Sequence, residues 1–205
     1  MEVNAIAAWA WIPIVVWAAF AQTIRNAAQR SLVSDMGTLG ATLVRFLYGL
    51  PFAGAWLLLV LAFITPQSRL PPLQLHYLLW LTLGAACQLG ATACMLVAMK
   101  QRNFIVGVAF SKTEVLQVGI FATVMLQEVP TWLSALAMVV STVGVVMLSL
   151  PRRLEGKLLQ QGGSAAWFGL ASGALFALSS VGYRGAALEL HGYSPWMIGS
   201  LNVLL

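Results

Sequence analysis

Lys112 and Glu114 stand in the middle of Asn103–Gln127, a stretch otherwise long and apolar enough to cross a membrane. An ionised side chain at that depth costs ~2.5–3.5 kcal/mol on insertion scales, so it is kept only where a partner or a wet cavity receives it. Ser111-Lys112-Thr113-Glu114 therefore reads as part of a route for a polar solute. The chemistry on offer is charge recognition, with Glu114 as a carboxylate able to exchange a proton. The competing reading is a buried ion pair that fixes helix register.

On a continuous helix, Asn103, Gly107, Ser111, Glu114 and Gln117 share roughly a third of the circumference. Lys112 lies about 200° from Glu114 around such a helix, so the two do not share a face. Lys112 is expected to meet another helix, and Glu114 to meet Arg45, Arg25 or Arg184.

Further polar positions occur in other spans. Gln22, Arg25, Asn26 and Gln29 follow i, i+3, i+4, i+7 spacing and form one polar stripe. It reads either as the wall of a substrate vestibule or as a helix end with snorkelling arginines. Arg45 opens an apolar run, where it could attract anions or anchor the interface. Gly84, Gln88 and Thr92 recur every four residues, a pattern more typical of helix packing than of a site. Gly169 and Gly173 form a GxxxG that predicts a close helix contact. If Arg25, Arg45, Lys112 and Arg184 converge on Glu114, the cavity favours carboxylate or phosphate groups. An anionic or zwitterionic metabolite, such as an amino acid or organic acid, is then expected over a lipophilic cation.

The elements that must hold these residues are membrane helices. Apolar residues make up 60% of the 205-residue chain and charged residues only 8%, against roughly 25% charged in a soluble domain. Mean hydropathy is +0.86. Runs free of Asp, Glu, Lys and Arg cover Val3–Ile24, Phe46–Ser68, Leu70–Met99, Val129–Pro151, Leu158–Tyr183 and Gly192–Leu205. With Asn103–Gln127 they predict an all-α polytopic membrane protein of six full spans and a partial seventh. Pro13 and Pro51 fall inside predicted spans. Cys87 and Cys94 lie ~10 Å apart along one helix, too far to bridge, and read as buried apolar-like side chains. The net charge of +5 reads as loop bias, since no basic cluster interleaves with aromatics as a nucleic-acid surface would.

A faint internal echo supports a repeat. AFAQTIRNAA (Ala19–Ala28) aligns with LSSVGYRGAA (Leu178–Ala187), placing Arg25 on Arg184, Ala27 on Ala186 and Ala28 on Ala187. Five predicted spans separate the copies, an odd number that turns the second copy over in the membrane. Inverted repeats of this kind recur in secondary transporters, with the site at the repeat interface.

RNFIVGVAFSKTE (Arg102–Glu114) followed by LQEVPTWLSALAMVVSTVGVVMLSLP (Leu126–Pro151) resembles the fourth and fifth helices of EamA-type carriers of the drug/metabolite transporter superfamily. RNAAQRSL (Arg25–Leu32) and VRFLYGLPFA (Val44–Ala53) are similar to the first and second. The resemblance implies ten helices in two inverted five-helix halves and the export or exchange of small metabolites. On that reading residues 1–151 form the first repeat, 152–163 a polar connection, and 164–205 the start of an incomplete second repeat. Ser194–Leu205 offers only ~18 Å of helix, so either the chain is truncated or a homodimer or second chain completes the bundle. The alternative is a non-transporting or obligately oligomeric subunit.

An intramembrane enzyme would need a nucleophile with a deep base, paired aspartates or a metal cluster. Asp35 is the sole Asp, and His76 and His191 lie at span edges, so neither enzyme activity nor a cofactor is expected. The partners expected are the lipid bilayer and a small-molecule solute. Counting connection charges places the amino terminus outside, whereas the resemblance implies a cytoplasmic one, and a bacterial inner membrane fits.

Overall fold

A computed structural model describes Trp9 and residues 11–64, 71–100, 110–149, 163–190 and 192–205. Among the described residues every regular element is helical. The chain divides into two compact units, one ending at Arg45 and the other covering Phe46–Leu205.

The first unit is built on α1 (Trp11–Leu47), which is helical through the polar stretch that follows the first apolar run. No proline interrupts Arg25–Met36, and Arg, Ala and Gln are good helix formers. The axis bends at Gly37, whose φ of 75° and ψ of 176° suit a residue without Cβ. Pro13 lies in α1.

The second unit begins with a turn at Tyr48–Gly49 and α2 (Leu50–Leu59), which a π-helical turn over Val60–Ile64 extends. Pro51 sits in the first turn of α2, where its missing N–H costs nothing. The expected mid-span proline is a helix start. Then come α3 (Leu75–Lys100), α4 (Glu114–Leu126), α5 (Trp132–Ser149), α6 (Gly163–Glu189) and α7 (Pro195–Leu204). Ser194 caps α7, its hydroxyl accepting from the Met197 N–H.

Helix α6 is the centre of this unit and packs on α3 and α4. Its contacts with α3 run in opposite senses along the two chains, so the helices are antiparallel. A Cβ at Gly182 would lie 2.8 Å from the Gly84 backbone, and one at Gly185 would lie 2.6 Å from the Trp80 ring. Small residues let these backbones approach where lipid gives no hydrophobic drive for association. Ser179 Oγ donates to Gln88 Oε1 at 2.9 Å, and Ser172 Oγ donates to the Ala91 carbonyl at 2.9 Å. The four-residue stripe of α3 is thus the seam for α6. A second cluster joins Leu57, Tyr77, Leu81, Ala186, Leu190, Met197 and Leu201. Tyr77 donates to Asn202 Oδ1 at 3.1 Å and Asn202 Nδ2 donates to the Tyr183 carbonyl at 3.2 Å, tying α7 to α3 and α6.

Many large apolar side chains point outward, among them Phe52, Phe63, Trp132 and Leu133. That is the arrangement of helices solvated by lipid. Leu75–Lys100 and Ala166–Glu189 are long and apolar enough to cross a membrane, and shorter apolar helices cover Ile12–Arg25, Leu50–Phe63, Glu114–Leu126 and Trp132–Val145. Among the described residues, full length is reached by the third and sixth of the expected spans. The fourth is interrupted. Cys87 and Cys94 are both free thiols, Cys87 buried and Cys94 partly so.

Candidate functional site

The fourth span breaks at its charged centre. Phe110 and Ser111 are helical, Lys112 and Thr113 form a turn, and α4 starts afresh at Glu114. Neither proline nor glycine causes this. Thr113 Oγ1 donates to the Phe110 carbonyl at 2.7 Å, joining the Thr113 N–H on the same oxygen at 3.2 Å. Such local side-chain bonding competes with the regular helix ladder. The Thr113 carbonyl then accepts from Leu116 and Gln117, which starts the new helix.

From Glu114 to the end of α4 is 13 residues, or ~20 Å of rise. The break therefore falls well inside a hydrocarbon layer ~30 Å thick. Irregular backbone at that depth is tolerated where protein or a wet cavity surrounds it. Here α6 supplies the cover. A Cβ at Gly173 would lie 3.0 Å from the Ser111 carbonyl and 3.3 Å from Thr113 Oγ1. The second glycine of the GxxxG is thus the seat on which the broken span rests, and Gly169 is buried one turn earlier.

At the break Ser111 is buried, Glu114 and Gln117 are half-buried, and Lys112 is exposed. Lys112 is the charge nearest to Glu114 along the chain, two residues before it. Thr113 at the turn keeps φ −67° and ψ −8°, and among the described residues the ion pair formed in this region is Arg184–Glu128. Gln117 Nε2 donates to Thr113 Oγ1 at 3.0 Å. Asn103, expected on the same face, lies outside the described residues.

Of the four cations expected to converge on Glu114, Arg184 is placed elsewhere. Arg184 grips Glu128 in the α4–α5 turn, with Nη2–Oε1 at 2.9 Å and Nε–Oε1 at 3.2 Å. Glu128 is itself fixed at the end of α4, its N–H donating to the Ala122 carbonyl at 3.2 Å behind the left-handed Gln127. Along α6, Arg184 stands roughly 16 Å from Gly173 and the break. It is therefore a partner of Glu128 and not of Glu114. Gln88 is engaged in the α3–α6 seam. Arg25 is exposed on α1 in the first unit, and Asn26 and Arg45 lie on the same helix with side chains outside the described set.

What the structure gathers is Ser111, Lys112, Thr113, Glu114 and Gln117 beside Gly173. Sequence reasoning found four of these five polar residues but gave Thr113 no role. Its signal was present, since Thr113 stands two residues after Ser111, and both residue types compete with the helix ladder. Among the described residues no cluster of His, Cys, Asp or Glu could hold a metal ion. The arrangement can bind charge of either sign and carries no nucleophile–base pair.

No curated protein and no solved structure is significantly similar to the chain. The EamA-like transporter family profile matches residues 9–150, a region that includes the broken fourth span. With more than half of its length matched, the chain belongs to the EamA-like transporter family, polytopic membrane carriers that are not enzymes.

Proposed function

We propose that the protein is a secondary transporter that moves a small anionic or zwitterionic metabolite, by alternating access, as an exporter or exchanger. Its site is the break at Ser111–Glu114, where Lys112 offers a cation and the α4 N-terminus offers backbone N–H groups. Residues 1–151 act as one five-helix repeat and 164–205 as the start of its inverted copy, in a bacterial plasma membrane. The observation that carries this reading is the contact of the broken span with Gly173. It sets irregular, charged backbone against the first helix of the second repeat, where a rocking motion would open or close access.

The test is counterflow in proteoliposomes with radiolabelled amino acids and organic acids. Exchange should be saturable, and Lys112→Ala and Glu114→Ala should abolish it while both variants stay monodisperse in detergent. Exchange untouched by either substitution would place the solute path elsewhere.

A further inference from the structure

Gln117 carries a buried oxygen with no partner. Its Oε1 is inaccessible and makes no hydrogen bond, while its Nε2 donates to Thr113 Oγ1. The orientation of this amide is fixed by chemistry. The Thr113 hydroxyl gives its one proton to the Phe110 carbonyl, so it can only accept from Gln117. The group facing Thr113 must be the NH2, and Oε1 must look elsewhere. A buried acceptor left unpaired is costly and calls for a donor that is present in some states of the protein.

One helical turn back on the same face stands Glu114, half-buried and held by no hydrogen bond or ion pair among the described residues. As a carboxylate it can only accept and cannot serve Gln117. As a carboxylic acid it gains an O–H donor. We infer that Glu114 binds a proton and, in that state, donates its O–H to Gln117 Oε1, so that the two side chains form a proton site at the broken fourth span. Gln117 is the positioning residue.

The surroundings suit this pairing. On its own segment the nearest charge to Glu114 is Lys112, two residues before it. Helix α6 brings Gly173 to this level. Its charged residues Arg184 and Glu189 lie roughly 16 and 24 Å farther along, and Arg184 is held on Glu128. Helix α5 contains no titratable side chain. A proton taken from water on one side cancels the Glu114 charge and leaves Lys112 free to hold an anion. Its release on the other side restores the carboxylate. That coupling rests on the carrier reading, whereas the proton site itself does not.

Infrared difference spectroscopy of the full chain in lipid, titrated in pH with no solute added, tests the site. The wild type should show a protonated-carboxyl C=O band that Glu114→Gln removes. Gln117→Leu should shift that band to higher wavenumber, as expected for a carboxylic acid that loses its acceptor. Gln117→Asn, which keeps the amide but retracts it, should do the same and stands in should the leucine variant fail to fold. A spectrum unchanged by Glu114→Gln, or a Glu114 band that stays put in both Gln117 variants, would overturn the inference. Loss of all solute flux in the wild type would defeat the carrier reading and leave these bands as they are.

Discussion

Gly84 and Gly182 touch backbone to backbone: a Cβ on Gly182 would lie 2.8 Å from both the N and the Cα of Gly84. No side-chain rotation relieves that clash, because the neighbour is main chain. Gly182→Ala is therefore expected to push α6 off α3 and to destabilise the protein by ~1–3 kcal/mol, the usual range for overpacking. Gly199→Ala is the matched control, since nothing lies within 4 Å of its added Cβ and alanine is the better helix former. Thermal unfolding in mild detergent should separate the two, with Gly199→Ala at or slightly above wild type.

The polar bond beside that contact makes a smaller contribution. Ser179 Oγ and Gln88 Oε1 are 2.9 Å apart, but interhelical hydrogen bonds in membranes average only ~0.6 kcal/mol and reach ~1.7 at most. A double-mutant cycle on Ser179→Ala and Gln88→Leu should give a coupling within that range. A coupling several times larger would mean that the seam depends on hydrogen bonding more than on close backbone approach.

These two predictions also mark what could be read in advance. The recurrence of Gly84, Gln88 and Thr92 every fourth residue identifies a packing stripe, because helix geometry puts such positions in line. Their partners Ser179 and Gly182 could not be named, since that requires the antiparallel register of α3 and α6. The charged centre was legible in a similar, partial way. Lys112 and Glu114 declared themselves by their cost in lipid, whereas the interruption between them did not. Thr113 makes it through a bond to the Phe110 carbonyl, a local competition that no periodicity reveals. The Arg184–Glu128 pair was out of reach for the first reason: it joins residues distant in sequence and depends on how α6 lies beside the end of α4.

That pair sits near helix ends, with side chains 57% and 40% exposed. Exposed ion pairs contribute ~0–1 kcal/mol and weaken as salt rises. Arg184→Ala and Glu128→Ala should each lower stability by less than about 1 kcal/mol, and the exchange Arg184→Glu with Glu128→Arg should restore part of the loss. The measurement is unfolding at low and high salt, with the difference between wild type and single variants shrinking as salt is raised.

Transport should rank the same cations in a different order. Lys112 lies at the break, whereas Arg184 is committed to Glu128 roughly 16 Å away along α6. Lys112→Gln should thus cut exchange by roughly tenfold or more, equivalent to about 1.4 kcal/mol of lost interaction with the solute. Arg184→Gln should leave the apparent affinity for solute near wild type, because the residue touches the architecture and not the site. Gly173→Leu should behave like Lys112→Gln in flux while leaving both charges in place, since its side chain would drive the Ser111–Glu114 turn off α6. Measured together in one vesicle preparation, these three variants separate charge at the break from the seat beneath it. The proposed site would fail if Arg184→Gln abolished exchange and Lys112→Gln did not.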